Sequence, residues 1–91
     1  MAIIWTRTAV DDLDRLYQFL APVNAHAAAK TVQALSAAPE NILPTPAIGL
    51  PLLQYAPRNV RRYLVGQYEM RYELIGHDVH ILTIWHQREM R

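Results

Sequence analysis

The spacing of apolar residues changes along the chain, and each change marks an element. Residues 3–6 are β-branched and aromatic, which predicts a short first strand. From Thr8 the spacing becomes helical: Ala9, Leu13, Leu16, Tyr17 and Leu20 fall on one face. Thr8 with Asp11 resembles a capping box, with Asp in place of Glu or Gln. Asp11, Asp12 and Asp14 also suit the positive end of a helix dipole. Pro22 stops this helix, and Asn24 is placed to cap a second one from Ala25 to about Ala38. The second helix is alanine-rich, with Ala28, Val32 and Leu35 forming a narrow apolar stripe. Small side chains let two helices approach closely, so residues 8–38 read as an αα-hairpin.

Residues 39–57 hold five prolines and Gly49. They read as an ordered loop whose apolar side chains, among them Ile42, Leu43, Ile48, Leu50, Leu52 and Leu53, pack down on the domain. The period then becomes two. Val60–Val65 is a strand. In residues 68–75, Tyr68, Met70, Tyr72 and Leu74 face one way and Glu69, Arg71 and Glu73 the other. Gly76-His77-Asp78 is a turn, and residues 79–86 form the partner strand. The expected fold is α+β in the order β-α-α-β-β-β: an N-terminal strand, an αα-hairpin and a three-stranded antiparallel meander with one buried and one solvated face. Residues 1–91 read as a single domain.

Composition narrows this picture. The 91 residues are 52% hydrophobic, enough for one small core. A chain of this size buries only about 60–65% of its unfolded surface, so a partner could supply part of the missing burial. There are no cysteines, which excludes disulfides, thiolate metal sites and thiol nucleophiles, and which fits a reducing cytoplasm. No apolar run approaches the roughly 18–20 residues that span a bilayer, so no membrane role is expected. The first residues read as a strand, not as a signal peptide. Net charge is +1, too small for binding nucleic acid by field alone. The charge is uneven: residues 46–91 carry six Arg and four acids, whereas residues 1–45 carry three Lys/Arg and four acids.

The stretch Tyr68-Glu69-Met70-Arg71-Tyr72-Glu73-Leu74, followed by residues 80–89 (HILTIWHQRE), is similar to the end of RelE/ParE superfamily toxins. Those show a Y-x-x-x-Y strand, a short turn and a last strand closing on a His-x-Arg-like sequence. Trp5-Thr6-x-x-Ala9, Asp12-Leu13, Ala28 and Pro46-x-x-Gly49 resemble the rest of ParE-like members. Leu50 departs from the pattern, because the family often has Arg after that glycine. The resemblance implies a toxin neutralised by a cognate antitoxin encoded beside it, in a hetero-oligomer, with no cofactor. It also implies one of two activities. RelE-like members cleave mRNA on the ribosome, whereas ParE-like members poison DNA gyrase.

A metal-free ribonuclease needs a base, an acid and cations around the phosphorane. His86 could be acid or base, and Arg62, Arg71 and Arg88 could clamp phosphate. Each also has a plain reading. His86 ends a strand beside Trp85. Arg71 lies between Glu69 and Glu73 as a solvated or ion-paired residue, and Arg88-Glu89 could be the polar end of the chain. Tyr68 and Tyr72 read as core. His80 and His86, six apart on one strand, share a face about 20 Å apart, too far for one metal; no metal site is expected. RelE-like nucleases usually carry a further tyrosine just beyond the position of Arg88, and ribosome-directed members are strongly basic. This chain has neither feature. The first reading is therefore a ParE-like, non-catalytic gyrase inhibitor, with Arg62, Arg71 and Glu89 as candidate target contacts. The alternative is a RelE-like ribosome-dependent endoribonuclease using His86 and Arg88. A member that only binds its antitoxin is a third. The apolar loop at residues 48–55 is either a cover for a sheet edge or a surface for the antitoxin.

Overall fold

A computed structural model describes residues 1–89. Strand β1 (Ile3–Trp5) leads into helices α1 (Arg7–Leu20) and α2 (Ala25–Ala37) and a single turn, α3 (Pro39–Ile42). A two-residue strand β2 (Leu50–Pro51) precedes β3 (Val60–Val65), β4 (Tyr68–Ile75) and β5 (Asp78–His86). The five strands form one sheet in the order β1-β5-β4-β3-β2. The β1–β5 pair is parallel and the others are antiparallel. The α+β class and the β-α-α-β-β-β order expected from the sequence are what the chain adopts, with β2 added inside the proline-rich loop. Both hairpin turns place a glycine at positive φ, Gly66 at 59° and Gly76 at 60°.

The core lies between the helical hairpin and one face of the sheet. Met70, Tyr72, Val79, Ile81 and Ile84 meet Ala9, Leu16, Leu35 and Ile42, all at most 3% exposed. Ala9 and Ala28 are fully buried, as close helix packing demands. Tyr17, by contrast, sits at the rim of α1, 36% exposed.

Helix α1 is capped two residues earlier than its spacing suggested. Its N-cap is Thr6, not Thr8: Thr6 Oγ1 accepts from the Ala9 N–H at 3.2 Å. The same hydroxyl lies 2.6 Å from the Ile81 carbonyl and 3.1 Å from that of Leu82. These contacts explain the choice of cap, because they fall on an irregularity in β5. Arg71 faces Thr83 but Tyr72 faces Ile81, so Leu82 is an extra residue in the ladder. Asp12, 6% exposed, completes the clasp. Its Oδ2 accepts from Thr83 Oγ1 at 2.5 Å and from the Ile84 N–H at 2.9 Å. The first turns of α1 are thus bolted to the bulge through Thr6 and Asp12, and backbone groups at the bulge find partners. Asn24 caps α2 as expected, accepting from the Ala27 N–H at 3.0 Å.

The proline-rich loop is pinned through its backbone. The Tyr72 hydroxyl, inside the core, donates to the Pro46 carbonyl (2.7 Å) and accepts from the Gly49 N–H (2.9 Å). Burial pushes the Tyr72 phenol above its ordinary pKa, which keeps that proton in place. A β-carbon at position 49 would lie 2.6 Å from Tyr72 Oη and 2.8 Å from the Arg62 carbonyl, so only glycine fits this close approach. Arg61 adds hydrogen bonds to the carbonyls of Ala47 (3.1 Å) and Gly49 (2.9 Å). The loop's apolar side chains do not all pack down: Ile42 is buried, but Ile48, Leu50 and Leu53 are 50%, 55% and 79% exposed.

Candidate functional site

The bulge at Leu82 decides where the candidate residues go. Without it, His80 and His86 would share a face. With it, His80 pairs with Glu73 on the face away from the helices, and His86 pairs with Tyr68 on the helix side. The single-face placement expected from the spacing therefore fails, because one extra residue inverts the alternation.

The candidates fall into two groups on opposite faces. His86, Arg88 and Glu89 gather at one end of a groove of about 480 Å³, whose walls are Leu16, Phe19 and Leu20 of α1 with Tyr68 of β4. The His86 ring stands edge-on to Tyr68, with centroids 5.2 Å apart. Its Nδ1 accepts from the Arg88 N–H at 3.1 Å. Glu89 is tied back to α1 and β5: Oε2 accepts from Arg15 Nη1 at 2.7 Å and Oε1 from the His86 N–H at 2.8 Å. Arg88 is exposed at the groove's edge. A smaller hollow of about 170 Å³ continues past Leu20 to Val23 and Ala27 of the next turn and helix. Phe19 and Val23, 77% and 89% exposed, leave an apolar rim along this path.

Arg62 and Arg71 lie on the other face. Both point at Glu69, Arg71 Nε at 2.7 Å and Arg62 Nη1 at 3.3 Å. The Arg71 guanidinium lies 4.5 Å from the Trp85 ring centroid and donates to the Tyr55 hydroxyl at 3.0 Å. Beside it Arg58 makes two bonds to Glu73, at 2.8 and 3.1 Å. The Arg58 hydrogen bonds hold the Glu73 carboxyl below its ordinary pKa against the opposing effect of burial. Glu69 and Glu73 are 6% and 8% exposed, so this face is not the solvated surface the alternation suggested. It is roofed by the loop before β3, with Tyr55 and Trp85 among the arginines.

Among the described residues no cluster of three or more His, Cys, Asp or Glu side chains is placed to hold a metal ion. No described helix is long and apolar enough to cross a membrane.

Two groove residues escaped the sequence reading. Phe19 stands off the apolar stripe of α1, and a large aromatic on a helix's polar side is a signal that was available. Arg15 gave none, because two of its partners, Ile84 and Glu89, lie more than 65 residues away in sequence.

The clasped bulge and the pinned loop rest on motifs that resembled ParE-like members: Thr6, Ala9 and Asp12 at the bulge, Pro46 and Gly49 around the second tyrosine of Y-x-x-x-Y. Comparison with known proteins agrees. The sequence model described as "ParE toxin of type II toxin-antitoxin system, parDE" matches residues 3–91. A solved structure titled "Chromosomal ParDE TA system from P. aeruginosa" is similar with a TM-score of 0.69. Identity to it is 25%, over 94% of this chain and 95% of that one. No curated protein matches the sequence. With a family match across almost the whole chain, this chain belongs to the ParE toxin family of type II toxin–antitoxin systems.

Proposed function

We propose that the chain exerts its toxicity by binding DNA gyrase in the cytoplasm, without catalysing a reaction itself, and that its antitoxin covers the apolar groove beside α1. The observation that carries this reading is the ParE family match over residues 3–91. The distribution of charge supports it. Phosphodiester cleavage needs its acid, base and cationic clamp around one phosphate. Here Arg62 and Arg71 share Glu69 on one face, while His86 and Arg88 lie on the other. The His86 Nδ1 is engaged by a backbone N–H. A protein-binding surface needs only shape, apolar contact and a few exposed charges. Glu89 and Arg62, 30% and 40% exposed at their side chains, remain candidates for target contact. Arg71, 20% exposed, acts on the second of these by fixing Glu69.

Purified toxin added to a gyrase supercoiling reaction tests the proposal. Inhibition at about micromolar toxin is expected, and Glu89→Ala or Arg62→Ala should weaken it by severalfold, on the scale of losing one rim charge. No inhibition, together with cleavage of ribosome-bound mRNA in a parallel reaction, would replace this reading with the ribonuclease.

A further inference from the structure

The Arg15 guanidinium is held from two sides that differ in kind. On the inner side Nη2 donates to the Ile84 carbonyl at 3.1 Å and lies 3.5 Å from Asp12 Oδ1. Both inner partners belong to the folded scaffold, since Asp12 is itself fixed by Thr83 and the Ile84 N–H. On the outer side Nη1 is held by Glu89 Oε2 at 2.7 Å, from a tail that has already left β5. The two side chains are 39% and 30% exposed, so their ion pair opens to water. The walls next to it, Leu16, Phe19, Leu20 and Tyr68, are apolar.

We propose that Arg15 is the receptor for an acidic side chain of the antitoxin, and that Glu89 is an internal occupant that must leave when the antitoxin docks. The inference rests on the antitoxin covering this groove. Three physical points favour exchange. The cation does not need Glu89 to stay in position, because the Ile84 carbonyl and Asp12 hold it from behind; the site is preorganised for another carboxylate. An ion pair this open to solvent is weak, so releasing it costs little. A partner that also fills the apolar walls excludes water from the new pair, whereas the pair with Glu89 is open to it. The fitting occupant is an amphipathic helical segment with large apolar residues along Leu20 and Val23 and an Asp or Glu at the Arg15 end.

Exchange makes a prediction that a simple brace does not: removing the two halves of one ion pair shifts affinity in opposite directions. The full chain is titrated by calorimetry with the antitoxin encoded in the adjacent reading frame. Glu89→Ala should bind about two- to fivefold tighter, the worth of a half-exposed pair no longer competing. Arg15→Gln should bind at least about fivefold weaker, having lost the charge the partner seeks. Thermal melts confirm that each variant is folded. Should Arg15→Gln fail to fold, Glu89→Ala decides alone, since Glu89 follows the last strand and its side chain is partly open to solvent. Unchanged or weaker binding by Glu89→Ala overturns the exchange and leaves the antitoxin reading standing. No binding by the unaltered chain overturns both.

Discussion

The two faces of β4 are held by different physics. Toward the helices Met70 and Tyr72 are fully buried with Ile81 and Ile84, and stability there follows from apolar area removed from water. Toward the loop, Glu69 and Glu73 are almost as deeply covered, but by arginines and aromatic rings. Buried carboxylates are destabilising unless paired and hydrogen-bonded. Glu69 takes both Arg62 and Arg71, and Glu73 takes two bonds from Arg58. The near face supplies bulk cohesion. The far face fixes where the loop before β3 lies on the sheet. Burial alone therefore does not show what holds a region together, and one strand can serve both systems because its side chains alternate.

The contrast can be broken from either side. The largest effect is expected from Ile81→Ala, which opens a cavity in the near face and should cost about 2–5 kcal/mol in urea unfolding. A loss under about 1 kcal/mol would mean that this core is not tightly packed. Glu69→Gln should cost less, about 1–3 kcal/mol, because it leaves the Arg71 guanidinium without its anion in a covered site. If the far face were only solvated surface, that loss would stay within about 0.5 kcal/mol. The smallest effect is Arg58→Ala, read through pH. Because Arg58 depresses the Glu73 pKa, its contribution is present above the ordinary glutamate value of about 4.3. That contribution is lost as pH falls through the lower folded value. The variant's stability should thus fall less steeply than the parent's between about pH 4.3 and the folded value. Identical acid profiles would detach Glu73 from Arg58.

The sequence made the near face legible and the far face much less so. Period-two spacing in residues 68–75 placed Met70 and Tyr72 correctly, because a face packed on helices must be uniformly apolar. The same rule left Arg71, between Glu69 and Glu73, as either solvated or ion-paired, because charged residues at alternate positions look alike whether water or a counter-charge satisfies them. The cap at Thr6 was displaced to Thr8 for a related reason. Helical spacing locates a stripe, but the start of α1 is set by the bulge at Leu82, which alternation cannot reveal. That residue also turned His86 toward the groove. Of the candidate site, the tail residues His86, Arg88 and Glu89 were found, while Arg15 and Phe19 were not, since the groove joins segments distant in sequence.

The hydrogen bond from Gly49 to the Tyr72 hydroxyl carries a consequence for motion. A proline-rich surface loop ordinarily opens by itself, and its amides exchange with solvent on the timescale of that local opening. The Gly49 amide reaches water only when the loop lifts off the buried Tyr72 hydroxyl, which breaks the bonds of Gly49 and Pro46 together. Its exchange should therefore be slower than that of the loop's open amides, and it reports on the joint between the loop and the core.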